Sequence, residues 1–430
     1  MTELPIRPHL LQGRPDLPES LRARIAEDHH RFLHEGLPAD LNGYLRQTYG
    51  LDLTGSYAGQ TLRSPWGKAS GQLSMTLGQV EEAAEAGLGF VVLKTVIAED
   101  QQGQRSMSAW AVDERRMIAE PIVGRESGIV GWTITWKGRG WWQSFEDYLT
   151  LVRESTALGR RHGMLIVPSV KYHLPAPEEL TWRTDEYTYT TRQILDAFEH
   201  GGGSFPMPLE KDFSPTLAGS DLARNQETIL QWLAAVPSLI REPAAPRGVI
   251  LGFKLFNAQG GDDFQREILR AVHGPSGPDY LIYANRLFDS DREFAGQRGV
   301  AYGGPDLSDR NLQMLTSLRN GQVEGSIPRW PMEISATGDI SSGKLAIEYA
   351  LRGCTSFQVH TMFQLPTDAY PSKHGSKIER ALHWLHFDPE HGAIAWMLHA
   401  SNRLKIAPNL LDLAALGVRS RPDDLHAQLA

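Results

Sequence analysis

The chain has 430 residues, with 43 Lys plus Arg against 51 Asp plus Glu, a net charge of -8 and 41% hydrophobic positions. This mildly acidic balance, with no Lys/Arg block, argues against a nucleic-acid partner, whose phosphates are neutralised by basic groups. A lone cysteine, Cys354, excludes an internal disulfide framework and a cysteine-rich metal cluster.

The first 20 residues lack the basic start, apolar stretch and small-residue cleavage site of a secretory signal. No apolar run reaches the roughly 18 residues needed to cross a bilayer, so the expectation is a cytoplasmic protein with no membrane span. Residues 18–45 alternate charged and apolar positions at helical spacing around Gly36 and Pro38. They predict one or two short helices packed outside the main domain, in an N-terminal extension over 1–50.

From residue 51 the pattern changes to short apolar runs, each followed by a helix-like segment, which signals a parallel sheet with crossover helices. The predicted strands are GKAS (67–70), GFVVLKT (89–95), MLIVPSV (164–170), SFPMPLEKDF (204–213), VILGFKL (249–255), YLIYAN (280–285), MEISAT (332–337) and SFQVHT (356–361). Predicted helices cover 77–86, 145–161, 190–199, 222–241, 263–272, 308–318 and 344–351. About eight strands suit a closed TIM-type (β/α)8 barrel over 51–405, with 406–430 as a C-terminal tail. An open doubly wound sheet would want a G-x-G-x-x-G turn after its first strand, and ASGQLS (69–74) does not supply it. Residues 51–64 read as a hairpin plugging the bottom of the barrel.

Between the second and third strands lies an insertion, about 96–143, containing Trp110, Trp132, Trp136, Trp141 and Trp142. Long loops at strand C-termini sit over a barrel's active site, so this is the expected lid and substrate wall, with at least half of its tryptophans packing on the rim.

Two lysines close strands: Lys94 in GFVVLK and Lys254 in GFK. A charge inside a barrel must be paired or must meet a charged ligand, and two on different strands suggest an anionic or electron-accepting ligand between them. Gly338 and Gly343 bracket a helix entrance after the seventh strand, where free N–H groups suit a phosphate. The GGP turn (303–305) supplies another close backbone approach.

The stretch DLTGSYAGQTLRSPWGKASG (52–71), EAGLGFVVLKT (85–95), GFKL (252–255), YAN (283–285), GGP and GDISSGKLAIEYALRGCTSFQVHT (338–361) together resemble the dihydroorotate dehydrogenase family in order and spacing. The resemblance covers about 51–364, although the family's Asn-Pro after the hairpin is missing. It implies a barrel holding flavin mononucleotide (FMN). Ala69, Ser70 and Gly71 would lie near the ring system, and Lys94 and Thr95 would approach it. Lys254 would face the pyrimidine edge and stabilise negative charge on the reduced flavin. Asn285 would serve cofactor and substrate, while Gly303, Gly304, Thr337, Gly338, Asp339, His360 and Thr361 would surround ribityl and phosphate.

The implied chemistry removes a carbon-bound proton with a base while hydride moves between the adjacent carbon and a flavin ring nitrogen. The family's base loop follows the fourth strand and reads LEKDFSPT (209–216) here, so the resemblance implies Ser214 as base, with Lys211 or Asp212 as alternatives. The family rings its substrate with asparagines, whereas TWKGRGWWQSFEDYL (135–149) offers Trp136, Lys137, Arg139 and Trp141 instead. That departure predicts a small cyclic substrate other than dihydroorotate, pyrimidine-like or carboxylated. His360, where the family has glycine, is expected to add a charge near the phosphate. The family's dimers imply a homodimer.

Two other readings stay open. One keeps the barrel as a non-redox isomerase or aldolase of phosphorylated substrates, with Lys94 or Lys254 as Schiff base. The other is a non-catalytic partner protein. Cys354 reads as a buried small apolar residue, and His30 and His34 alone do not make a metal site.

Overall fold

The computed structural model describes residues 8–430 except 112, 114–117, 136–139, 177, 180, 214–225, 259–260, 295–296, 329–331, 407–409, 418–424, 426–427 and 430. Its centre is a curled, all-parallel sheet of ten strands: β1 (Trp66–Lys68), β2 (Phe90–Val92), β3 (Val96–Ile97), β4 (Leu165–Val167), β5 (Ser169–Lys171), β6 (Met207–Asp212), β7 (Val249–Phe256), β8 (Tyr280–Asn285), β9 (Glu333–Thr337) and β10 (Cys354–Val359). Neighbours run in the order β3-β5-β6-β7-β8-β9-β10-β1-β2-β4. All eight predicted runs therefore supply strands of one sheet; the third is interrupted, and β3 lies just past the end of the second, in residues expected to begin the insertion. Residues 93–95 separate β2 from β3, and Pro168, which has no N–H to give a ladder, separates β4 from β5.

The crossover helices have local causes. Leu77–Glu85 opens with a capping box between Thr76 and Gln79. Phe145–His162 is capped by Ser144, carries Glu146 and Asp147 in its first turn and Arg160, Arg161 and His162 in its last, and stops at left-handed Gly163. Two helices are longer than expected, Thr184–His200 and Pro305–Glu324, the second starting with proline in its first turn.

Apolar packing forms two clusters, one per face of the sheet. Val91, Leu93, Leu209, Leu251 and Phe253 pack with the helices in the larger. The smaller joins Phe90, Val92, Val167, Tyr280 and Ile282 to Tyr57, Ala58 and Leu62 of the hairpin Gly55–Tyr57 and Gln60–Leu62. The period-two pleat puts residues 90 and 92 on the hairpin's side and 91 and 93 on the helices' side. Tyr57 stacks on Phe90 at 4.3 Å and meets Tyr280 edge-on at 4.9 Å. The hairpin thus packs into the inner face near the strand N-termini.

The flanking regions differ from the expected outline. Leu51–Asp52 is not part of the hairpin but pairs in parallel with Leu411–Asp412, so the C-terminal segment contributes structure to the domain. The N-terminal helices, Glu19–Glu35 and Leu41–Tyr49, bury Ile25, Phe32 and Leu45 in the larger core. Phe32 meets Phe387 at 4.9 Å, joining the extension to the helix Lys377–Phe387. The insertion contains a hairpin, Ile118–Val123 with Val130–Thr135, and a second, unexpected hairpin, Leu287–Phe294 with Gln297–Tyr302, follows β8.

Candidate active site

The strands' C-terminal ends border a cavity of about 1560 Å3, its open mouth included. Its lining includes Ala69, Ser70, Lys94, Thr95, Asp212, Lys254, Asn285, Gly303, Gly304, Thr337, Gly338, Asp339, His360 and Thr361. Residues singled out from sequence positions nearly 300 apart therefore share one site. Gly71 does not line it. It lies behind His360, whose ring a Cβ at residue 71 would meet at 2.4 Å, so only glycine fits there without displacement.

Lys211 is not on the cavity either. The pleat sets it with Leu209 on the helix side of β6, opposite Glu210 and Asp212. Its ammonium donates to the Asp212 carbonyl at 3.0 Å and lies 4.6 Å from the Phe213 ring centroid. Ser214, Trp136, Lys137 and Arg139 lie outside the described residues. Of the insertion's tryptophans, Trp110 and Trp132 line the cavity, while Trp141 is buried and donates to the Ser144 carbonyl.

Sequence reasoning missed Lys171 and Arg286, which also line the cavity. Lys171 closes β5 as Lys94 follows β2 and Lys254 closes the GFK run, so the same signal was present. Its Nζ sits 3.1 Å from Asp212 Oδ2 and 4.3 Å over the Trp110 ring. The exposures of Lys94, Lys171 and Lys254 are 2%, 2% and 5%. With half-buried Arg286 they place four basic side chains around one space, against Asp212 and Asp339.

Beneath these charges a hydrogen-bonded floor crosses the inside of the sheet. The Ser70 and Thr95 hydroxyls share a bond of 2.8 Å, and those of Thr95 and Ser169 one of 3.0 Å. Ser169 donates to Glu210 at 3.2 Å, and Glu210 also accepts from Gln358 at 2.8 Å and from Tyr57 at 3.4 Å. Fully buried Glu210 lies 3.7 Å from Lys254 Nζ, so it supplies the counter-charge that an interior ammonium needs.

Electrostatics follow from this crowding. Burial pushes the Lys94 ammonium down to about 7; Asp212 opposes that shift, while Lys171, Lys254 and Arg286 add to it. Burial also lowers Arg286 to about 10, helped by Arg292. For Asp212, burial alone would raise the carboxyl, but Lys171, Lys254 and Lys211 outweigh it and hold the group below the usual carboxylate range. Burial and the cations Arg286, Lys94, Lys254 and Lys68 push His360 down to about 3. The expected extra charge at residue 360 is therefore absent near neutral pH: its imidazole is neutral.

At the far side of the cavity, the turns 303–304 and 338–341 meet the short 3-10 turn Thr361–Phe363. Gly304 (φ 91°) precedes helix Pro305–Glu324, and Gly338 (φ 97°) lies five residues before helix Gly343–Leu351. Both occupy the left-handed region that favours glycine. Asp339 follows at φ 51° and accepts from Ser308 at 3.0 Å. Burial raises its carboxyl to about 7, so a neutral form is available beside an anion.

The two hairpins roof this end of the cavity. Gly303 N–H donates to Thr133 Oγ1 at 3.0 Å, Arg292 bridges to Glu120 at 2.9 Å, and Arg125 pairs with Asp289. Phe288, Val300 and Ala301 of the second hairpin join the lining. Cys354 is buried at the start of β10, where burial raises its thiol to about 12 and removes the thiolate that reactivity needs.

No family model matches the chain, and no curated protein matches it in sequence.

Proposed function

We propose that the chain is an FMN-dependent oxidoreductase acting on a carbon–carbon bond of a small cyclic substrate, as its resemblance to the dihydroorotate dehydrogenases implies. The observation that carries this reading is the convergence of Lys94, Lys171, Lys254 and Arg286 on one cavity beside two glycine turns at helix entrances. Lys171 and Lys254 have Asp212 and Glu210 as counter-charges, and a polyanionic, electron-accepting ligand would add further counter-charge to this basic group.

The residues fit such a cofactor. Lys254, held by Glu210, would meet an electron-rich ring edge, and the backbone at Gly304 and Gly338 would accept a phosphate. A neutral Asp339 would donate to that phosphate rather than repel it. Bound flavin would supply two-electron chemistry that no side chain offers. The protein's own part is to neutralise charge with the lysines, to shield the site beneath the two hairpins and to hold a proton-transfer group near Asp212.

We also infer that the curled sheet is a closed (β/α)8 barrel. In support, β2 with β3 and β4 with β5 are each one interrupted strand, which leaves eight strands. In the same sense, β2 pairs with β4 and β3 with β5, so both ends of the strand order belong to one neighbouring pair.

The visible spectrum of the purified protein tests the cofactor. The expected result is a yellow protein that releases FMN on denaturation, with Lys254→Met lowering retention. A colourless protein that takes up no added FMN overturns the reading. In that event one observation favours a Schiff-base lyase: Lys94, at about 7, has an amine available at neutral pH. Borohydride trapping of carbonyl substrates on Lys94 would then separate lyase from partner protein.

A further inference from the structure

We propose that Asp212 and Lys171 form a substrate-reading pair. It takes an N–H or O–H of the ligand on Asp212 Oδ1 and an adjacent carbonyl or carboxylate oxygen on the Lys171 ammonium. This deepens the substrate side of the cavity reading above and does not itself require flavin.

The two oxygens of Asp212 are not equivalent. Oδ2 is 3.1 Å from Lys171 Nζ, whereas Oδ1 is buried with no hydrogen-bond partner among the described residues. A buried carboxylate oxygen without a donor is costly, and Asp212 lines the cavity, so a ligand there can supply the missing bond. The residue as a whole is 8% exposed, so Asp212 sits inside the site rather than on its rim.

A metal ion could also satisfy such an oxygen, but Lys171 and Lys254 would repel it. A hydrogen-bond donor meets the same need without that repulsion. Lys171 is placed by a second contact, with its ammonium over the Trp110 ring, which also lines the cavity.

The pair's chemistry restricts the ligand further. An ionised carboxylate only accepts and an ammonium only donates, whereas an asparagine amide does both and can be turned around. A site read through asparagines tolerates either polarity at one edge. The Asp212 and Lys171 pair accepts one polarity alone, donor to residue 212 and acceptor to residue 171. Burial opposes the ionised carboxylate, but the surrounding lysines maintain it.

Matched probes test the edge: 2-pyridone presents adjacent N–H and C=O groups, and 1-methyl-2-pyridone lacks the N–H. Binding to the full-length protein is read by titration calorimetry and tryptophan fluorescence. The expected outcome is at least about tenfold tighter binding of 2-pyridone. Asp212→Asn and Lys171→Met should each reduce that preference, and Lys171→Arg should retain most of it. Equal affinity for the two probes, or binding of neither by folded protein, overturns the proposal. If a variant does not fold, the wild-type ratio decides. A colourless protein that discriminates the probes keeps the edge and loses the flavin; a yellow protein that does not discriminate keeps the flavin and loses the edge.

Discussion

The two ends of the sheet's inner face are built from the same strands and solve opposite problems. Near the strand N-termini, Phe90, Val167, Tyr280 and Ile282 close around Tyr57 and Leu62 of the hairpin. At the C-terminal ends, the interior opens onto Lys94, Lys171, Asp212 and Lys254. One end buries apolar area, worth about 25 cal/mol per Å2, while the other gathers charged groups whose desolvation costs stability even where Asp212 and Glu210 pair them. Apolar packing and charge are thus separated along the strands, with the Glu210 floor between them.

The largest expected effect tests the packed end. Phe90→Ala removes a fully buried ring from between Tyr57 and its neighbours and should cost about 3–5 kcal/mol in denaturant unfolding. Ligand affinity of the folded fraction should be unchanged. A matching loss of affinity would show that the two ends are not separate.

Next, Glu210→Ala removes the counter-charge beneath Lys254 and strands an ammonium inside the sheet. Breaking a buried pair costs about 3–5 kcal/mol, and the 3.7 Å separation places this one toward the lower end. The double variant with Lys254→Met should recover much of the loss, which a thermodynamic cycle would measure. Additive losses would mean that Glu210 serves its hydroxyl and amide partners alone.

The open end should instead reveal itself through pH. The Lys94 ammonium is lowered from 10.5 to about 7, so the unfolded chain binds the proton more readily than the folded one. Lys94 therefore stabilises the fold fully above pH 10.5, and that contribution is lost as pH falls towards 7. Unfolding of ligand-free protein should show Lys94→Met gaining on wild type across this window as pH is lowered. A bound polyanion should narrow the gap, because it supplies the charge that burial withholds. A pH-independent gap would mean that residue 94 is not buried among cations.

Much of this division was legible from the sequence. The apolar runs mark the strands, and a lysine closing such a run marks the cavity, because an interior charge at a strand end needs a partner. The third run, MLIVPSV, stops at Val170, one residue short of Lys171. The pleat also decides what a residue list leaves open: Asp212 and Lys211 were equivalent candidates, and alternation sends one into the cavity and the other to Phe213. The hairpin 287–302 was not legible, since its charged strands bury little and take their order from cross-strand pairing and from contacts such as Arg292 with Glu120. A sequence shows the type of His360 and not its surroundings, and it is burial among Arg286, Lys94, Lys254 and Lys68 that keeps the imidazole neutral.

The smallest effect sharpens the roof of the open end. Arg292 and Glu120 tie the two hairpins through a pair that is 26% and 40% exposed, so solvent and salt screen it and Glu120→Ala should cost at most about 1 kcal/mol of global stability. Both hairpins nevertheless contribute to the lining, through Trp132 and Ile134 on one side and Phe288, Val300 and Ala301 on the other. Loosening the tie should therefore leave the melting temperature almost unchanged while raising the ligand dissociation rate several-fold, measured by stopped-flow fluorescence. Added salt should bring wild type toward the variant, because the contact is electrostatic. An equal change in rate and stability would instead make the hairpins part of the folded core, and the contrast between a packed end and an open end would then stop at the floor of the cavity.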